Sequence, residues 1–148
     1  MANIVFNIAL GRVASLAALP AANDALVAVP LEAAGLVTDA TMRDYDDLAA
    51  LLAGASNEQT TMGRKTLASV TVTVDDTNDR VAIDCADITW TAATGNAVGA
   101  VVICYDPDTT TGTDADLIPL TKHDLSLTPD GNNFTLTVAD FFRASSAA

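Results

Sequence analysis

Chemistry-bearing residues are scarce in this chain. There is one histidine, one tryptophan and two cysteines, and the aromatic residues together make up 5%. A single histidine, His123, has no nucleophile in a recognisable elbow to work with, because no GxSxG-type stretch occurs. Nucleotide-binding signatures are missing too: there is neither a P-loop nor a GxGxxG. Cys85 and Cys104 form no CxxC and have no histidine close by, which excludes a zinc site and a disulfide scaffold. Both lie in apolar, strand-like runs, so they are expected as buried free thiols, with a bridge between neighbouring strands as the alternative. Seven basic residues scattered over the chain form no stripe or patch, and direct nucleic-acid binding is not expected. No uninterrupted apolar run reaches the length of a membrane span, and no basic segment precedes the apolar stretch 4–19, so neither a membrane helix nor a secretory signal is expected.

Two things are abundant. Acid gives the chain a net charge of −12, and all but two of its nineteen acidic residues are aspartate, the exceptions being Glu32 and Glu58. Aspartate suits turns and caps better than helix interiors, so the acid marks loops and solvated surface. Hydrophobic residues make up 50% of the 148 positions, many of them alanine, an excess that reads as apolar surface available to partners. A chain of this length is expected to fold as one compact domain with its own core.

The pattern changes near residue 66. Before it alanine and leucine dominate; after it threonine, valine and aspartate do. This predicts an N-terminal part (1–65) with an arm, a strand and a short helix packed on a sheet, a β-sandwich part (66–143) and a frayed tail (144–148). Asn3 to Leu10 reads as an extended arm ended by Gly11, Val13 to Leu19 as a short helix stopped by Pro20, and Ala25 to Leu31 as a strand. Pro30 places the end of that strand, or an edge. Residues 44–53 predict a helix: Asp44, Asp46 and Asp47 at its start, Leu48, Leu51 and Leu52 on one face, Gly54 as the stop.

Beyond residue 66 the period is two. Val70, Val72 and Val74 alternate with threonine, a turn follows over 75–79, and Val81, Ile83 and Cys85 return as a hairpin. The phase then slips at Ala86–Asp87, which predicts a bulge or bend. Val98 to Tyr105 is almost wholly apolar, as expected of a central strand covered on both faces. After a long loop, a strand around Leu117 to Leu120, another at Leu125 and Leu127, and a last one at Phe134, Leu136 and Val138 complete the set. The fold class is therefore mainly β with a small α-containing N-terminal part (α+β), a β-sandwich or jelly-roll-like barrel of six to eight short strands.

The acidic loops are the candidates for a metal site. Asp75, Asp76 and Asp79 cluster, as do Asp106, Asp108, Asp114 and Asp116, but the spacing of a calcium loop is absent, and turn chemistry explains them. Solvated aspartates with few aromatics nearby are also a poor basis for glycoside hydrolysis. No enzyme activity, metal or cofactor is expected. Trp90 reads as a core residue rather than an interface anchor. Of the adjacent Phe141 and Phe142, one would face out of a strand, whereas a turn would let both pack.

Several stretches carry a resemblance across most of the chain: Ala2-Asn-Ile-Val-Phe-Asn-Ile8 leading to Gly11-Arg-Val-Ala14, Leu19-Pro-Ala-Ala-Asn-Asp-Ala-Leu26, Arg43-Asp-Tyr-Asp-Asp-Leu48, Arg64-Lys-Thr-Leu67, Val72-Thr-Val-Asp-Asp-Thr-Asn-Asp-Arg80, Ile103-Cys-Tyr-Asp-Pro-Asp108 and Ile118-Pro-Leu-Thr121. Together they resemble small head decoration or head-fibre-type virion proteins of actinobacterial tailed phages. The resemblance implies a structural protein made in the host cytoplasm and mounted on the capsid exterior. Its implied partners are the major capsid protein and further copies of itself, a trimer among the arrangements. A head–tail connector or tail component, and a head-displayed glycan-binding module, are the alternative roles. No site motif comes with the resemblance. From the residues themselves, the apolar arm supplies the candidate capsid or subunit contacts Ile4, Val5, Phe6 and Ile8, which could add a strand to a partner's sheet or serve as the first strand of their own domain.

Overall fold

The computed structural model describes residues 2–18, 23–54 and 56–146. Its centre is an antiparallel sheet in the order β1-β8-β7-β2-β3, formed by β1 (Ile4–Val5), β2 (Ala25–Glu32), β3 (Lys65–Thr66), β7 (Val98–Asp106) and β8 (Ile118–Leu127). Strands β2 and β7 pair along their whole length, from Ala25 opposite Asp106 to Glu32 opposite Val98. Both are almost continuously apolar because both faces of this sheet are covered.

On one face Val27, Val29, Leu31, Val102 and Cys104 pack with Phe6, Met42, Leu48 and Leu51. The last three belong to two short helices, α2 (Asp39–Met42) and α3 (Leu48–Ala53). Each starts on a side-chain cap: Thr38 Oγ1 accepts from the Thr41 amide, and the Asp47 carboxylate accepts from the Ala50 amide at 2.7 Å. The expected helix over 44–53 therefore begins at Leu48, with Asp47 as its cap and Asp44 and Asp46 in the preceding turn.

On the other face Leu26, Ala28, Val101, Ile103 and Leu120 meet α1 (Val13–Ala17) and two small sheets. One is three-stranded, β10-β5-β4, from β4 (Thr71–Asp75), β5 (Arg80–Asp84) and β10 (Phe142–Ser145); the other pairs β6 (Ile88–Trp90) with β9 (Phe134–Leu136). The result is mainly β and sandwich-like, an α+β fold of antiparallel sheets. Trp90 fills the space between layers: it is 1% exposed, stacks on Phe134, and donates its indole N–H to the Gly63 carbonyl at 2.9 Å. Phe141 and Phe142 both pack, partly buried, against the same cluster.

Several expectations are corrected. Ile4 and Val5 of the arm and the whole of the first strand lie within the central sheet rather than on it, and Asn7–Ala9, expected as extended, form a turn of 3-10 helix. The two strands expected around Leu120 and Leu125 are one ten-residue strand, β8. Of the bulge or bend expected at Ala86–Asp87, the chain makes the second: it leaves one small sheet there for the other. The start of the expected frayed tail is strand β10, which pairs with β5 through Ser145 opposite Arg80. Leu19 and Pro20, the expected end of the first helix, lie outside the described residues, as do 147 and 148.

Pro30 sits inside β2, opposite Val101. Its carbonyl accepts from the Gln59 amide at 2.9 Å, on the side away from β7. A strand residue points its N–H and C=O to the same side, so the donor that proline lacks is missing from the Gln59 side, and the β2–β7 ladder loses no bond. Among the described residues no helix is long and apolar enough to cross a membrane.

Candidate functional site: the N-terminal arm and its latch

Ile4 and Val5 pair antiparallel with Lys122 and Thr121 of β8, and the Phe6 amide continues the ladder to the Leu120 carbonyl. The arm is thus the first strand of its own domain. Phe6 has no exposed surface and belongs to the core beneath the helices, so it cannot touch a partner of the folded chain. Ile4 and Ile8 are partly buried against that core, and Val5 against the other. What the arm offers outward is the free side of β1, an edge to which no strand is bonded among the described residues, and Leu10, 62% exposed just beyond it.

Polar groups fasten the arm at both ends. The Ala2 amide donates to Asp39 Oδ2 at 2.7 Å, Asn3 Oδ1 accepts from the Asp124 amide at 2.9 Å, and Asn7 donates to Asp44 at 2.6 Å. Lys122 lies beneath it. Its side chain is fully buried and its ammonium contacts Asp39 and Asp124, each at 2.7 Å. An ammonium out of water is tolerable only when paired in this way. The Lys122 hydrogen bond, reinforced by the Ala2 amide, holds the Asp39 carboxyl below the usual range.

Residue Lys122 reaches this position through a bulge. Pro119 lies opposite Cys104 and Thr121 opposite Ile103, which leaves Leu120 as an extra residue. The extra residue reverses the facing of everything after it. Lys122, which simple alternation from Ile118 and Leu120 would place on their face, turns to the helix side and meets Asp39. His123 turns to the other, where its Nε2 lies 2.9 Å from Thr121 Oγ1 and its ring meets the edge of Phe141. Burial, and then the neighbouring Lys122 charge, lower the His123 pKa from 6.5.

The remaining candidates have structural work. Arg64 spans Glu58 and Asp114 with hydrogen bonds of 2.6–3.1 Å, which tie the 106–116 loop to the body. Those bonds, to Glu58 first, raise the guanidinium pKa further. Asp75 accepts from the Thr77 and Asn78 amides, Asp108 from the Thr110 and Thr111 amides, and Asp116 from the Thr113 amide. These are turn-closing bonds. Among the described residues no group of three or more His, Cys, Asp or Glu is placed to hold a metal. Cys85 and Cys104 are free, buried, and in the clusters on opposite faces of the central sheet. Burial raises both thiols, Cys85 to about 11. Sequence reasoning missed the Lys122 latch and the Arg64 brace, since both join residues far apart in the chain; a basic residue inside a strand pattern was the one visible sign of the first.

Comparison with protein-family models, curated proteins and solved structures returned no match.

Proposed function

We propose that this chain is a capsid decoration protein that binds the outside of a tailed-phage head and stabilises it. The observation that carries the reading is the set of sequence stretches, spread from Ala2 to Thr121, that resemble head decoration and head-fibre-type proteins. The manner in which the chain uses its charges supports it. Lys122, Arg64, Arg80 and Arg143 are each paired with a carboxylate of the same chain. The groups with shifted pKa values are accordingly turn closers, braces and buried residues, not a set converging on one cleft. A body braced in this way suits a part that must persist without turning over.

The major capsid protein is the partner, with further copies of this chain beside it, and the virion exterior is the location. The free edge of β1 is the contact we assign to the shell, because an open edge can take up a partner strand. Purified protein added to heads that lack it should bind saturably and raise the temperature at which they disrupt. Heads that neither bind it nor gain stability would remove the proposal.

A further inference from the structure

Strand β4 is the longest strand at a sheet edge among the described residues: five residues, against four in β10 and two or three in β1, β3, β6 and β9. Open edges invite pairing, and proteins blunt them with lysine, proline or a bulge. β4, Thr71-Val-Thr-Val-Asp75, has none of these, and its register with β5 runs without a shift. It also carries Val74, 69% exposed and one of two large hydrophobic residues left in solvent among the described residues.

Half of the backbone groups of β4 are unengaged. The Ile83 carbonyl accepts from the Phe141 amide at 2.9 Å, so Ile83 points its N–H and C=O toward β10. By alternation Val81 does the same, and Arg80, Ala82 and Asp84 face β4, opposite Asp75, Thr73 and Thr71. Those three residues bond to β5. Val72 and Val74 therefore point their N–H and C=O away from the sheet, at the open edge.

We propose that β4 pairs with β4 of a second copy, antiparallel about a two-fold axis at Thr73, to make one continuous sheet across two chains. Val72 then lies opposite Val74 of the second copy and exchanges both backbone hydrogen bonds with it. Thr73 meets its own counterpart and Asp75 meets Thr71, so no like charges are opposed. The Val74 side chain gains a valine beside it, while its face toward solvent stays uncovered. Other registers match less well. A shift of one residue sets outward groups against engaged ones. A shift of two toward the turn brings Asp76 opposite Val72, and two the other way carries Val74 past Thr71, the first residue of the strand. Two chains of net charge −12 repel, so the pair is reversible and tightens with salt. The contact does not rest on the decoration role and is separate from the β1 edge. Pairing is measured without heads, so either can fail alone.

Sedimentation velocity of the intact chain over a concentration series, at low and high salt, tests it. The wild type should show a reversible monomer–dimer equilibrium that tightens as salt is raised. Thr73→Asp and Thr73→Lys each set like charges face to face at the axis and should weaken dimerisation roughly tenfold or more. Thr73 is exposed, so neither change disturbs the core. An equimolar mixture of the two variants should restore the dimer, since opposite charges then meet. Val74→Pro removes an N–H that β5 does not use and should abolish dimerisation without unfolding the chain. A wild type still monomeric at about 1 mM in high salt overturns the assignment. So does a dimer that both Thr73 variants leave as tight as before, a mixture that fails to pair, or a folded Val74→Pro variant that still dimerises. A trimer in place of the dimer overturns it as well, since a two-fold contact closes at two copies.

Discussion

The β2–β7 pair and the β4–β5 pair are both antiparallel and both rich in valine, yet they differ in what lies against them. Between Leu26 and Leu31 every residue of β2 is buried, with α2, α3 and Phe6 on one face and α1 and Trp90 on the other. Strand β4 has no buried residue, and Val74 remains 69% exposed. Valine at strand positions therefore carries stability in one sheet and little in the other. Burial decides this, because a β-branched side chain stabilises through what it packs against. The central sheet is the body of the molecule; the β10-β5-β4 sheet is a shelf attached to it.

Four substitutions probe this contrast. Leu31→Ala in β2 should have the largest effect, about 2–5 kcal/mol lost in chemical denaturation, since the side chain is fully enclosed and leaves a cavity. Arg64→Met should cost about 1–3 kcal/mol by removing the charged hydrogen bonds to Glu58 and Asp114. Faster amide exchange in the 106–116 loop than in β7 would mark the cause as the lost brace. His123→Gln sharpens the comparison through pH. The folded pKa of His123 lies below its ordinary 6.5, so its neutral form is favoured by folding. That contribution is complete above about pH 6.5 and is lost as pH falls from there toward the folded value. Melting temperatures between about pH 7 and pH 5 should fall in the wild type and fall less in the variant. Val74→Thr on the shelf should change stability by no more than about 0.5 kcal/mol. A cost comparable to that of Leu31→Ala would show that the shelf is covered in solution.

Legibility in the sequence followed the same division. β2, β7 and the β4–β5 hairpin were visible because each keeps one period without interruption: continuous apolar residues for the first two, alternation for the third. The face of α3 was visible from Leu48, Leu51 and Leu52. β8 was not, because Pro119 and the polar run Thr121-Lys122-His123 break the pattern. Tertiary partners override it: the bulge at Leu120 accommodates the proline, and Asp39 neutralises the buried lysine. α2 has only four residues, too few to show a helical period. β10 was hidden for a related reason, since Ala144 and Ser145 gain strand character only from β5 beside them. Of the arm residues, Phe6 looked like a contact and proved to be core; an apolar residue gives no sign in sequence of which it will be.

Copy number per purified virion, measured by quantitative mass spectrometry against the major capsid protein, tests the central claim most directly. The decoration role predicts a ratio near one, or a simple lattice fraction such as about one-third. A handful of copies per particle would instead place the chain at the neck or tail, and absence from virions would contradict a structural role altogether.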